Sequence, residues 1–443
     1  MAEHIVRNVA GWQVIGAAVI FIICYVFIIS EKINRTVITL CGALLMIILG
    51  IADFNLSYTK HINWETIFLL LGMMLLVGIA NRSGIFHYIA IKTAQSAKGN
   101  PLKILTRLAL LTAISSAFID SVTTVLLIAP ITIAIADTLR IKPTPFLITE
   151  ILVCNIGGAS TLVGDPPNIM IGVASGFSFN YFLIHITPII IVILVATIVY
   201  LRFYYHKYMH TDEQYQRKLM EANPRDYIRD IVLAKKSLFV FALTLLGFFL
   251  HQLLHMEPAM VALSGGVLLM LIGPKEKELH EAFNAVEWPT IFFFAGLFVL
   301  VGGLVEVGII ESIATWMITA TGSNVTLTSF IMLWGSGLAS GFVDNIPLVA
   351  TMSPLIQDMA IQLSLAPTEI STLWFSLALG ACLGGNGTLI ASSANLLVAS
   401  VAAREGAPIS FIDFLKISIP VTLSSLVIAT VYVYVFIIRL GFA

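Results

Sequence analysis

Gly42-Ala-Leu-Leu-Met-Ile-Ile and Gly266-Val-Leu-Leu-Met-Leu-Ile are near-identical heptapeptides, 266 − 42 = 224 positions apart. The same offset pairs Trp64, Thr66, Ile67 and Phe68 with Trp288, Thr290, Ile291 and Phe292. It goes on to pair Gly84-Ile85 with Gly308-Ile309, Phe118 with Phe342, Asp120 with Asp344 and Pro130 with Pro354. Past a small insertion the register resumes at 384 − 157 = 227, where Gly157-Gly158, Thr161 and Asn168 pair with Gly384-Gly385, Thr388 and Asn395. Chance does not hold one register over so long a stretch, so the chain is two copies of one unit.

Each copy is built for lipid. The chain is 58% hydrophobic and 11% charged, with a mean hydropathy of +0.96; soluble domains carry about 25% charged residues. Apolar stretches such as Gly11–Ser30 and Pro420–Ile438 approach or reach the roughly 20 residues that a helix needs to cross a bilayer. The run from Gly11 is longer than a signal core and lacks a small-residue cleavage site, so it reads as span 1. A formal net charge of −1 says nothing about nucleic acid, but no basic domain exists, and no nucleic-acid partner is expected. Cys24, Cys41, Cys154 and Cys382 all lie in apolar runs without a CxxC, so neither a disulfide framework nor a zinc site is expected. His206/His210 and His251/His255 have metal-compatible i,i+4 spacing but no third ligand, and read as helix-end residues. No cofactor is expected.

Basic residues concentrate on cytoplasmic loops. Segment 202–236 carries eight of them, and segment 82–107 carries Arg82, Lys92, Lys98, Lys103 and Arg107, whereas segments 174–181, 306–325 and 361–368 have none. One threading satisfies this pattern. Residues 1–203 form five spans plus a cytoplasmic-side re-entrant hairpin at about 103–139. Residues 204–236 are a cytoplasmic linker whose basic residues suit anionic lipid heads. Residues 237–443 repeat the unit upside down, with an outside hairpin at about 326–360. The fold class is therefore an all-α polytopic membrane protein of two inverted five-span repeats, with both termini outside. Inverted repeats whose interrupted helices meet at mid-membrane are a recurring plan of secondary transporters.

Three features break the apolar pattern at membrane depth. The first hairpin tip reads Phe118-Ile-Asp-Ser-Val-Thr-Thr124 and is mirrored by Phe342-Val-Asp-Asn-Ile-Pro347. Span 4 contains Asn155-Ile-Gly-Gly-Ala-Ser-Thr-Leu-Val-Gly-Asp-Pro-Pro-Asn168. Span 9 contains Gly384-Gly-Asn-Gly-Thr-Leu-Ile-Ala-Ser-Ser-Ala-Asn395. Gly-Gly and Pro-Pro interrupt a regular helix, and exposed backbone survives in hydrocarbon only where protein or a wet cavity covers it. The tips and breaks are thus expected to converge on one polar site, with half-helix ends supplying oriented groups.

Asp120, Asp165 and Asp344 are the candidate coupling-ion or proton residues, because a carboxylate at mid-bilayer costs at least about 2.5–3.5 kcal/mol. The competing reading is that each caps the helix that follows it. Asparagine or serine would cap nearly as well without that cost, which favours function. Glu150, without a counterpart in the second copy, reads either as a proton carrier or as the partner of a basic residue. The substrate- or ion-binding candidates are Ser121, Thr123, Thr124, Asn155, Gly157, Gly158, Thr161 and Asn168 in the first copy. In the second they are Asn345, Gly384, Gly385, Asn386, Thr388, Ser392, Ser393 and Asn395. No metal site is expected beyond sodium at the hairpin tips. Glu65 reads as a first-turn acid behind the Asn63 cap.

At these motifs the sequence resembles the ion-transporter superfamily: divalent-anion/sodium symporters, citrate carriers, arsenite efflux permeases, one class of sodium–proton antiporters, and the melanosomal P protein with its bacterial relatives, which it resembles most. That resemblance implies a homodimer with a scaffold and a mobile transport domain that works by an elevator-like movement; the expected location is the plasma membrane. Carboxylate carriers of the superfamily resemble Ser-Asn-Thr at both tips and Thr-Pro-Pro in both breaks. In this chain Asp120 and Asp344 stand at the serine positions, Asp165 stands at the first threonine, and Ser392-Ser393-Ala394 replaces the second Thr-Pro-Pro. Two unit charges 4 Å apart interact by about 4 kcal/mol at an effective dielectric of 20, so three acids oppose a dianion. The expectation is a secondary transporter coupled to protons or sodium, either a sodium–proton antiporter or a metalloid (arsenite-type) efflux carrier. The alternative is a sodium-coupled citrate or dicarboxylate symporter. A channel fits the broken-helix plan poorly. An enzyme is not expected, because no nucleophile–base set or phosphate loop occurs.

Overall fold

The computed structural model describes residues 10–441 apart from 31, 208, 274–278 and 285. The first repeat runs through α1 (Gly11–Ser30), α2 (Arg35–Ile48), the short α3 (Phe54–Leu56, continued by a π-helical turn to His61), α4 (Trp64–Arg82) and α5 (Ile85–Ser96). It continues with α6 (Pro101–Phe118), α7 (Ser121–Thr138), α8 (Thr144–Gly158), α9 (Pro166–Ser175) and α10 (Phe179–Tyr205). After α11 (Glu213–Glu221) the second repeat follows as α12 (Ile231–Leu250), α13 (Pro258–Ile272), α14 (Leu279–Asn284), α15 (Trp288–Glu306) and α16 (Ile309–Thr321). It ends with α17 (Val325–Ser340), α18 (Asn345–Leu363), α19 (Pro367–Gly384), α20 (Ser393–Arg404) and α21 (Phe411–Tyr432, continued to Arg439). No strand occurs among the described residues.

The repeat is visible in the smallest local choices. Gly84 and Gly308 open α5 and α16 with φ of 78° and 77°, a left-handed turn that glycine adopts without a steric cost. Asn100 and Asn324 cap α6 and α17 through the amides of Lys103 and Leu327. The orientation is inverted. Thr36 bonds the Pro289 carbonyl and Asp53 bonds Glu306, so α2 runs parallel to α15. His61 packs on Gly302, so α4 begins where α15 ends, and the two run antiparallel. One end of the molecule therefore carries Arg82 and the basic linker, whose Arg229 amide bonds the Ser83 carbonyl, while the other carries Trp64 and Glu306.

Two layers result. α1–α4 and α12–α15 pack tightly as a scaffold, with Gly72 against the backbone of Ala262 and Gly296 against that of Thr39. α6–α10 and α17–α21 form a second unit, in which α6 packs on α8 and α17 on α19. α5 and α16 link the two. Eight of the described helices are long and apolar enough to cross a membrane. α2 and α13, with 14 and 15 residues, rise only about 21–22 Å at 1.5 Å per residue. Large apolar side chains stay exposed on the outer helices, as at Ile15 (68%) and Phe239 (64%), which is the surface that lipid covers. The linker is docked rather than loose: α10 runs on to Tyr205, Gln95 donates to the Leu219 and Ala222 carbonyls, and Leu219 is buried.

Candidate functional site

Each hairpin tip is a helix stop followed at once by a capped start. α6 ends as Ile119 turns extended, and Asp120 Oδ1 then accepts from the Thr123 amide at 2.9 Å to open α7. In the mirror tip Asp344 Oδ1 accepts from the Ile346 amide at 3.0 Å to open α18. The capping reading therefore describes part of what Asp120 and Asp344 do.

Asp165 differs. It stands in the N-cap position of α9, where Pro166 and Pro167 start a helix without breaking one, yet its carboxylate makes no cap bond. Both oxygens reach across the molecule instead: Oδ1 accepts from the Ser121 hydroxyl of hairpin 1 at 2.8 Å, and Oδ2 from Asn345 Nδ2 of hairpin 2 at 3.1 Å. Asp165 is 3% exposed and joins both tips to the broken helix. Ser392, its counterpart in the second break, has nearly the same backbone (φ −147°, ψ 142° against −145° and 137°). One break thus presents a carboxylate where the other presents a hydroxyl.

The two breaks interlock at Asn155. Its Nδ2 donates to Asn386 Oδ1 and Asn395 Oδ1, both at 2.9 Å, and Ser392 Oγ lies 3.4 Å from its Oδ1. At the position matching Asn155 stands Cys382, whose thiol donates to Asn168 Oδ1 at 3.3 Å. Each half's asparagine therefore accepts from the other half. Behind this layer lie staples. Asn168 Nδ2 bonds the Gly158 and Thr161 carbonyls, and Asn395 Nδ2 bonds those of Gly385 and Thr388. The hydroxyls of Thr161 and Thr388 bond the Ala117 and Gly341 carbonyls, and that of Thr124 bonds Ile119. Gly157 and Gly384 let backbones touch: an added Cβ would lie 2.3 Å from the Ala113 oxygen in one case and 2.2 Å from the Gly337 oxygen in the other.

Glu150 lies apart from this cluster. It is 1% exposed, accepts from the Thr132 hydroxyl with one oxygen and has no partner for the other. A basic partner, one of its two sequence readings, is not what it meets. The helix-end reading holds for His206 and His251, which directly follow α10 and α12; His206 bonds the Phe203 carbonyl, and His251 bonds the Met256 carbonyl and the Phe179 amide. Among the described residues no group of three or more His, Cys, Asp or Glu is arranged to hold a metal.

The sequence reading missed Arg35. From the start of α2 in the scaffold, its Nη1 donates to Asp344 Oδ2 at 2.9 Å and to Ser393 Oγ at 2.5 Å, and Ser393 Oγ donates to the same carboxylate oxygen at 2.8 Å. A signal was available, since the position 224 residues on is Ala259, leaving Arg35, like Glu150 and Asp165, a charge that the other copy does not match. Arg35, Asn34, Asp344 and Ser393 line a cavity of about 370 Å³.

Residues 25–380 match the family described as citrate transporter. An uncharacterized transporter of Mycobacterium bovis is 40% identical over 94% of this chain and 97% of its own length. The P protein of Mus musculus is 31% identical over 96% of this chain and 60% of that protein. Two solved structures share the fold: the Alcanivorax borkumensis YdaH transporter (TM-score 0.58, 15% identity, 97% of this chain and 98% of that one) and Neisseria gonorrhoeae MtrF (TM-score 0.62, 11% identity, 98% and 97%).

Proposed function

The chain belongs to the citrate transporter family of membrane transporters, and from that premise we propose that it is a secondary active carrier whose coupling cation, a proton or sodium, binds at Asp165. The observation that carries this reading is the position of the Asp165 carboxylate: buried, free of its capping duty and held by one residue from each hairpin. A carboxylate there is costly in the empty state, and a proton or a sodium ion with oxygen ligands from Ser121, Asn345 and the broken backbone relieves that cost. Asp120 adds a second negative charge near the site. Glu150, with one unmatched oxygen, is the candidate for relaying a proton toward the Arg82 end. The solute then binds among Asn155, Asn386, Ser392 and the unwound backbone of the two breaks.

Sodium–proton antiport and metalloid efflux are the two forms of this proposal. Arg35 and the family's description favour a second reading, a sodium-coupled carboxylate symporter in which the half-helix N-termini and Arg35 hold an anion. In either case the unit of hairpins and broken helices moves against the scaffold in a plasma-membrane homodimer, with the Arg82 end in the cytoplasm. Uptake into proteoliposomes of sodium, lithium, potassium, arsenite and citrate against an imposed pH gradient separates the readings. Cation-linked proton movement supports the first. Citrate movement without any cation effect on pH overturns it.

A further inference from the structure

The two hairpin tips should sit as mirror images along the antiparallel scaffold helices α4 and α15, and they do not. At tip 1, Ile119 packs in one cluster with Val77, near the Arg82 end of α4. The mirror position for tip 2 is beside Val301. Asp344 instead meets Arg35, whose guanidinium lies 4.9 Å above the Phe293 ring, close to where Thr36 bonds Pro289. Phe293 and Val301 are eight residues apart on one helix, about 12 Å at 1.5 Å per residue. The hairpin unit is thus displaced toward the Arg82 end by about half of that, and the mirror arrangement would carry Asp344 about 12 Å along α15.

We propose that Arg35 is a counter-ion built into the scaffold, which neutralises Asp344 only in this displaced position and is replaced there by the coupling cation when the hairpin unit moves away. The inference rests on the proposed coupling to a proton or sodium, and adds to the Asp165 site a second cation position at Asp344, next to the Asn345 that bonds Asp165. Arg35 belongs to one unit, and Asp344 and Ser393 to the other. The side chains of Arg35 and Asp344 are 31% and 12% exposed and open onto the 370 Å³ cavity, so ions reach the pair. A second bond crosses the same seam, from the Tyr25 hydroxyl to the Pro347 carbonyl at 2.6 Å. Moving the unit by several ångströms breaks both. The carboxylate then leaves its guanidinium, and an unpaired buried charge is costly, so the outward position is favoured when a free cation takes the vacated place. The pseudo-symmetry supports a specific device rather than a general feature of the tips. Asp120 has no ion-pair partner among the described residues, and Ala259 stands where its arginine would be. Loading at Asp344 and displacement of the unit thereby become one event.

The experiment is a spin-label distance measurement on the full chain in liposomes. Labels go on Tyr58→Cys in the scaffold and Ile361→Cys at the end of α18, both exposed, in a Cys41→Ser background. Labelled protein is diluted with unlabelled protein, and the buffers compare choline with sodium chloride at fixed pH, and neutral with acidic choline. R35Q and D344N are each expected to reduce the displaced population in choline by about tenfold, with the double variant no different from either single one. Sodium or acid should shift the parent protein the same way and leave D344N unmoved. The charge-swapped pair R35D/D344R, which restores attraction, should recover the displaced population if either single variant folds poorly. Unchanged distances in R35Q and D344N, additive effects, or a parent protein that neither cation shifts would each overturn the proposal. Failure of cation-linked flux alongside an intact Arg35 effect would instead refute the coupling-ion reading and leave the scaffold contact standing.

Discussion

Asp165→Asn is the perturbation that best separates a transport role from a structural one. Asp165 accepts from Ser121 and from Asn345. The amide of an asparagine keeps one acceptor and turns the other oxygen into a donor. The new donor is matched if Asn345 flips its own amide or the Ser121 hydroxyl turns to accept. At most one neutral hydrogen bond is lost, about 1 kcal/mol, and against it stands relief from burying a charge. The variant should therefore express like the parent and melt within about 3 °C of it, while cation-coupled flux disappears. Asp165→Ala is the contrast. It leaves two buried donors without an acceptor, about 1–3 kcal/mol each, and should melt clearly lower. Melting followed by intrinsic fluorescence, with flux measured on the same preparations, reads both. An Asp165→Asn protein that fails to fold, or one that folds and still couples, would refute the reasoning.

Other expectations follow from single contacts. Gly157→Ala and Gly384→Ala push a methyl group into the backbone of α6 or α17, so each should lose about 1–3 kcal/mol of stability, seen as lower yield of monodisperse protein on size exclusion. Asn155→Ala removes the donor shared by Asn386 and Asn395; solute affinity should weaken more than the melting temperature falls, which ligand-induced thermal shifts will show. Glu150→Gln removes a buried carboxyl with one unmatched oxygen and should leave stability equal or higher. If Glu150 relays protons, proton-driven flux slows in that variant while cation exchange at equal pH persists.

The overall plan is legible in the sequence because membranes restrict the options. Hydrophobic runs have to be helices, and breaks such as Gly157-Gly158 and Gly384-Gly385 need cover, so they mark the centre. The repeat register adds what periodicity alone misses, including matched caps at Asn100 and Asn324. The individual roles of the central residues are less legible. Asp120, Asp165 and Asp344 all precede a helix start, yet two cap and one does not, because only Asp165 is placed between donors from both hairpins. That depends on how four helices pack. The same holds for Thr161 and Thr388, whose hydroxyls are taken up by carbonyls of neighbouring helices. Arg35 reads as one more basic residue near a helix start, since its partner lies 309 positions away. Glu150 shows the opposite case: an acid at membrane depth is conspicuous in sequence, but only the packing reveals that it meets Thr132 and not a cation.

The central claim is that Asp165 is where the coupling cation binds. It is tested most directly by proton flux in proteoliposomes carrying a pH-reporting dye, with sodium or lithium added to the parent protein and to Asp165→Asn side by side. The account predicts cation-driven collapse of the pH gradient in the parent and none in the variant at equal protein incorporation. Equal collapse in both, or citrate accumulation in the parent with no cation-linked pH change, would contradict it.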